Sequence, residues 1–110
     1  IHAMYIYGLR LSEGNGVRMN QEEAGRYFKM AADKGHISAM FRYGTMLYYG
    51  EGVQMNKEKA MNLLKTAADK GDVNSMVLYG TLQLKGDGIS MNQEEAWRYF
   101  QMASARGALL

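Results

Sequence analysis

Apolar residues recur three and four positions apart along most of this chain, the spacing of a helix with one buried face. Ala24, Tyr27, Phe28, Ala31 and Ala32 form one such stripe. Between Ser38 and Tyr49, at about 100° per residue, Ala39, Met40, Tyr43, Gly44 and Leu47 form a second. The opposite side of that segment holds Ser38, Phe41, Thr45, Tyr48 and Tyr49, with Arg42 at the margin.

The pattern returns every 36 residues. That register aligns Met4, Met40 and Met76; Tyr7, Tyr43 and Tyr79; Gly8, Gly44 and Gly80; and Met19, Met55 and Met91 with Asn20, Asn56 and Asn92. It also aligns Ala24, Ala60 and Ala96; Phe28, Leu64 and Phe100; Ala31, Ala67 and Ala103; and Gly35, Gly71 and Gly107. A fixed period of this length is the mark of stacked structural units. Two helices, A and B, fit in each period. The expected fold class is therefore all-α, a solenoid of three antiparallel helix pairs forming one domain over residues 1–110. The units run over about 1–35, 36–71 and 72–107, with 108–110 opening a further one.

Asparagine starts each helix B, because its short side chain accepts a hydrogen bond from a free amide of the first turn. Asn20 with Glu23 and Asn92 with Glu95 have the spacing of a reciprocal capping box, but Lys59 stands in that place after Asn56. The middle cap is therefore expected to be the weaker one. Gly35, Gly71 and Gly107 follow the last turns, where glycine takes the left-handed conformation without a side-chain clash. With no proline in the chain, glycine and asparagine supply the punctuation. Small residues at Gly44 and Ala60 and their equivalents predict close approach of the paired helices.

The stretch GEGVQMN from Gly50 has the opening of a phosphate-binding loop. A dinucleotide loop needs a third glycine three residues after the second, and Met55 lies where it would fall. GNGVRMN from Gly14 and GDGISMN from Gly86 repeat the stretch at the same period, so it reads as the joint between helix A and helix B.

Composition narrows the function classes. The chain has 110 residues, 47% of them hydrophobic and 22% charged, as in an ordinary folded domain. Its 13 basic and 11 acidic residues are interleaved, and the net charge of +2 gives no reason to expect a nucleic-acid or membrane partner. No apolar run approaches the ~20 residues that span a bilayer. Without cysteine there are no disulfides or thiolate metal sites, and the compartment stays open.

The combination AMFRYG, GEGV, EKA and AADKG in the middle unit, with its counterparts in the other two, resembles the Sel-1-like repeat. The resemblance covers almost the whole chain. It implies a right-handed superhelix of antiparallel helix pairs, related to the tetratricopeptide fold, and a role as a scaffold for protein complexes. The chain departs from the family pattern after the joint, with Arg18, Gln54 and Ser90 where proline is frequent. At the cap it has Asn20, Asn56 and Asn92 where aspartate is frequent. A cysteine-rich branch of the family is linked to β-lactam binding, and the absence of cysteine argues against membership in it.

A solenoid of helix pairs binds on its concave face, which the first helix of each unit lines. The partner-binding columns expected there are Tyr5, Phe41 and Val77; Leu9, Thr45 and Thr81; Ser12, Tyr48 and Leu84; and Tyr49 with Lys85, joined by Arg42. This face is rich in aromatic and aliphatic residues, the chemistry of interaction surfaces. The competing reading places Tyr5 and Phe41 in the core between units. Methionine is frequent, at 10 residues, but Met4, Met40 and Met76 fall in the buried stripe. Met19, Met55 and Met91 precede a cap that an apolar side chain can staple, so packing is expected for all six. Pairs four residues apart, Glu22 with Arg26, Glu94 with Arg98 and Lys29 with Asp33, mark the solvated outer face of helix B.

His2 and His36 are the only histidines, they fall in different columns, and neither has a partner at a triad or metal-site spacing. They read as surface or capping residues. The expected function is a protein-interaction module that holds a peptide or a partner's helix, with no catalytic, cofactor or metal site. Two rivals are a hydrolase of the β-lactam-binding branch, which needs a converging nucleophile and base, and an RNA-binding repeat. The second needs a basic groove, and helix A offers only Arg10, Arg42 and Lys85. The apolar ends, Ile1 to Ile6 and Ala108 to Leu110, imply either a piece cut from a longer array or ends that pair with other copies, and add an expectation of self-association through uncapped units.

Overall fold

The computed structural model describes residues 1–13, 20–85 and 92–106, and every regular element among them is a helix. In chain order these are α1 (His2–Glu13), α2 (Gln21–Asp33), α3 (Ile37–Tyr49), α4 (Lys57–Asp69), α5 (Val73–Lys85) and α6 (Gln93–Ala105). The expected all-α solenoid is what forms: α1 packs on α2, α3 on α4 and α5 on α6, and looser contacts of α2 with α3 and α4 with α5 stack the pairs. The molecule measures 41 × 29 × 24 Å. The expectations placed on Gly14 to Met19, Gly86 to Met91 and Gly107 to Leu110 lie outside the described residues.

Asparagine begins all three B helices as expected. The side chains of Asn20, Asn56 and Asn92 accept from the amides of Glu23, Lys59 and Glu95, each at 3.0 Å. The middle cap thus has the same bond as its neighbours, which corrects the expectation that it is weaker. The reason lies in the other half of the box. The amides of Asn20 and Asn56 donate to the carbonyls of Leu11 and Leu47, both at 2.8 Å, so a glutamate three residues on has no amide left to satisfy.

Helix A has a cap of its own, of which the sequence reading assigned only His36. His36 Nδ1 accepts from the amide of Ala39 at 3.2 Å, and one period later Asp72 accepts from the amide of Ser75 at 2.9 Å. His36 as a capping residue agrees with its sequence reading.

The joint does more than turn the chain. Gly52 has φ +74°, and a Cβ there would lie 2.5 Å from the carbonyl oxygen of Gln21 in the preceding pair. Only glycine lets the joint of one unit rest against the start of the previous helix B. Met55 does not staple the helix: it is 55% exposed and lies over Gly50, whose left-handed conformation turns the joint outward. Met40 and Met76 are buried and Met4 packs at the edge of the core, as expected.

The core follows the repeated columns. Ala24, Ala60 and Ala96 are wholly buried, as are Ala31, Ala67 and Ala103. Gly44 lies against Leu64, with an added Cβ only 3.2 Å from Leu64 Cγ, so a small residue in helix A does bring the pair together. Of the expected outer-face pairs, Lys29 and Asp33 meet at 3.2 Å. Arg98 pairs with Glu95 at 3.6 Å instead of Glu94, because Glu95 is already turned inward toward Lys65 and Tyr79.

Candidate functional site

An open groove of about 490 Å³ lies between α3 and α5. Phe41, Thr45 and Tyr49 contribute from α3, and Val77 and Thr81 from α5, all five expected from their columns. Val73, Asn74 and Leu78 complete the lining and were not in those columns. Both threonine hydroxyls donate to carbonyls one turn back, Thr45 to Phe41 and Thr81 to Val77 at 2.8 Å each. Their methyl groups are thereby left to the groove. Tyr49 is half exposed at the rim, and Asn74 is exposed.

A smaller cavity of about 180 Å³ lies between the first and second pairs. Ser12, Phe41, Arg42 and Thr45 line it as expected, together with Gln21, Phe28, Met46 and Glu51. Gln21 Nε2 donates to the carbonyl of Ser12 at 3.0 Å and fixes one wall.

Other expected positions do not belong to either cavity. Tyr48 is 3% exposed, which overturns its placement on the binding face. The last turn of α3 lies against the first turn of α4, where Lys57 Nζ stands 5.2 Å from the Tyr48 ring and Tyr49 meets it edge-on at 5.0 Å. Tyr5 is partly buried between Phe28 and His36, at ring distances of 5.9 and 4.5 Å, in keeping with the competing reading of it as inter-unit core. Leu9 packs against the core, whereas Leu84 and Lys85 are exposed at the end of α5.

A polar cluster inside the third pair was also missed. Gln83 is buried where Leu11 and Leu47 stand in the other units, and that break in a leucine column was the available signal. Its Nε2 reaches Glu95 Oε1 at 2.6 Å and the Tyr79 hydroxyl at 2.8 Å, while Tyr79 donates to the same Glu95 oxygen at 2.9 Å. Burial, then the bond to Glu95, pushes the Tyr79 phenol up to about 12. Tyr99, fully buried and bonded to Asp69 at 2.6 Å, is pushed up further for the same two reasons. Both phenols stay protonated near neutral pH and serve as fixed donors, Tyr79 tying α5 to α6 and Tyr99 tying α6 to α4.

A family model, the Sel1 repeat, matches residues 1–36, 37–72 and 73–107. The chain belongs to the Sel1 repeat family. Two solved structures share the fold. A Sel1 repeat protein from Oxalobacter formigenes is 26% identical with a TM-score of 0.88, over 93% of this chain and 41% of that one. A protective antigen present in uropathogenic Escherichia coli strains displaying an SLR fold is 29% identical with a TM-score of 0.92, over 96% of this chain and 23% of that one. This chain therefore spans less than half the length of either. Among curated proteins, none matches it. Sel1 repeats are generally protein-interaction scaffolds without catalytic function.

Proposed function

We propose that this Sel1 chain is an interaction module that seats an apolar peptide segment or a partner's helix in the groove between α3 and α5. The observation that carries the reading is the groove itself, where two A helices from successive units present Phe41, Tyr49, Val77 and Leu78 to one channel. Aromatic and aliphatic side chains lining a concavity are where binding energy concentrates. A second surface, on α6, serves self-association. There Trp97 is 61% exposed, although its equivalents Gly25 and Met61 are buried.

Affinity capture from the native source tests the groove, comparing the wild type with Tyr49→Ala plus Asn74→Arg. Both positions are exposed, so the variant keeps its helicity. Loss of a reproducible partner from the variant supports the proposal, and an unchanged set of partners overturns it.

A further inference from the structure

We propose that His2 and His36 form a proton-sensitive clasp between the first and second helix pairs, closed while both imidazoles are neutral and opened when either takes a proton. The two residues are 34 positions apart in sequence, and the structure places His2 Nδ1 3.1 Å from His36 Nε2.

The protons can be placed by elimination. The amide of Ala39 can only donate, and it points at His36 Nδ1 from 3.2 Å. That nitrogen therefore carries no hydrogen, and a neutral ring then carries its hydrogen on Nε2. Nε2–H donates to His2 Nδ1. One line of hydrogen bonds thus runs from the first turn of α3 through both rings into α1. The His2 and His36 rings lie edge to edge along this bond, their centroids 5.4 Å apart at 23°, and Tyr5 of α1 stacks on His36 at 4.5 Å and 28°.

A proton on either ring sets donor against donor. On His36 it occupies Nδ1, facing the Ala39 amide, and places a positive charge at the already positive end of the α3 dipole. On His2 it occupies Nδ1, facing Nε2–H. Among the described residues no carboxylate is bonded to either ring. From α1 the ring of His36 meets His2 and Tyr5. At the end of α2, Asp33 is held by Lys29 at 3.2 Å, and Lys34 is the cap. The first turn of α3 has no acidic residue. Burial comes first, followed by charge on His2, and both lower the His36 pKa from 6.5.

The folded chain consequently binds this proton less tightly than the unfolded one. The stability contributed by the clasp is complete above the unfolded value of 6.5 and is lost as pH falls through the lower folded midpoint. No other side-chain type has an ordinary pKa in this range, and the chain has just 2 histidines, so the response belongs to this pair.

The test is an NMR titration of both histidines in the intact chain, with thermal unfolding from about pH 7 to about pH 5. Expected are a His36 midpoint below the unfolded value, a Tyr5 signal that moves with it, and a Tm that falls on acidification. His36→Asn keeps a good N-cap and removes the ring, so the fall in Tm is lost. His2→Gln raises the His36 midpoint. A wild-type His36 midpoint at or above the unfolded value overturns the proposal without reference to any variant. An acid-induced fall in Tm that persists unchanged in His36→Asn, or a His36 midpoint indifferent to His2→Gln, overturns it equally.

Discussion

Gly8 and Phe28 bring α1 and α2 so close that a methyl group on Gly8 would lie 2.8 Å from Phe28 Cε1. Phe28 is 1% exposed, so its ring has to shift toward the cavity it lines before a methyl fits. Alanine regains ~1 kcal/mol of helix propensity, but forcing a methyl into a packed contact costs about 1–3 kcal/mol. Gly8→Ala is therefore expected to lower stability in urea unfolding. Gly44→Ala, whose methyl would meet Leu64 at 3.2 Å, is expected to be milder. A Gly8→Ala protein more stable than wild type would refute the close approach.

The three asparagine caps make equal bonds, so they are expected to have equal value. Asn20→Ala, Asn56→Ala and Asn92→Ala should each cost about 1 kcal/mol, measured by denaturant midpoint. A middle substitution that is distinctly cheaper would restore the importance of the missing glutamate at Lys59.

Gln83 sits in a leucine column with its Oε1 buried and without a hydrogen-bond partner among the described residues. An unmet buried acceptor costs about 1–3 kcal/mol. Gln83→Leu removes that penalty, while Glu95 keeps Tyr79, Lys65 and Arg98. The expected result is an unchanged or raised Tm in calorimetry. Tyr99→Phe, by contrast, deletes the bond to Asp69 and should lower stability by about 1–2 kcal/mol.

Trp97 occupies the column of Gly25, and Gly25 is covered by the next unit: an added Cβ there would meet Val53 at 2.8 Å and Met46 at 3.3 Å. An exposed indole at that register offers a surface that a following repeat or a second copy of the chain can cover. Sedimentation velocity should show association that grows with concentration and disappears in Trp97→Glu. A wild type that stays monomeric at high concentration would rule this out.

The fold was legible in the sequence, and the lining of the proposed groove was legible only in part. Phe41, Thr45, Tyr49, Val77 and Thr81 were found because a groove between two A helices repeats their register. Tyr48 was misplaced because a helix wheel shows which side a residue faces, not where the neighbouring helix ends, and the first turn of α4 reaches it. Val73, Asn74 and Leu78 were missed because the groove floor is set by how far α5 is offset from α3.

By itself the sequence determined the helices, the asparagine that caps each helix B and the close glycine contacts. Helix period and cap bonds are local, and a column repeated every unit reports a packing constraint met every time. Only the tertiary structure decided which aromatic residues one unit hides under the next. It also decided that Gln83, Tyr79 and Glu95 share one buried cluster and that His2 meets His36. Those contacts depend on the offset and tilt between successive pairs, which arise from the sum of all packing interactions and are not written at any single position.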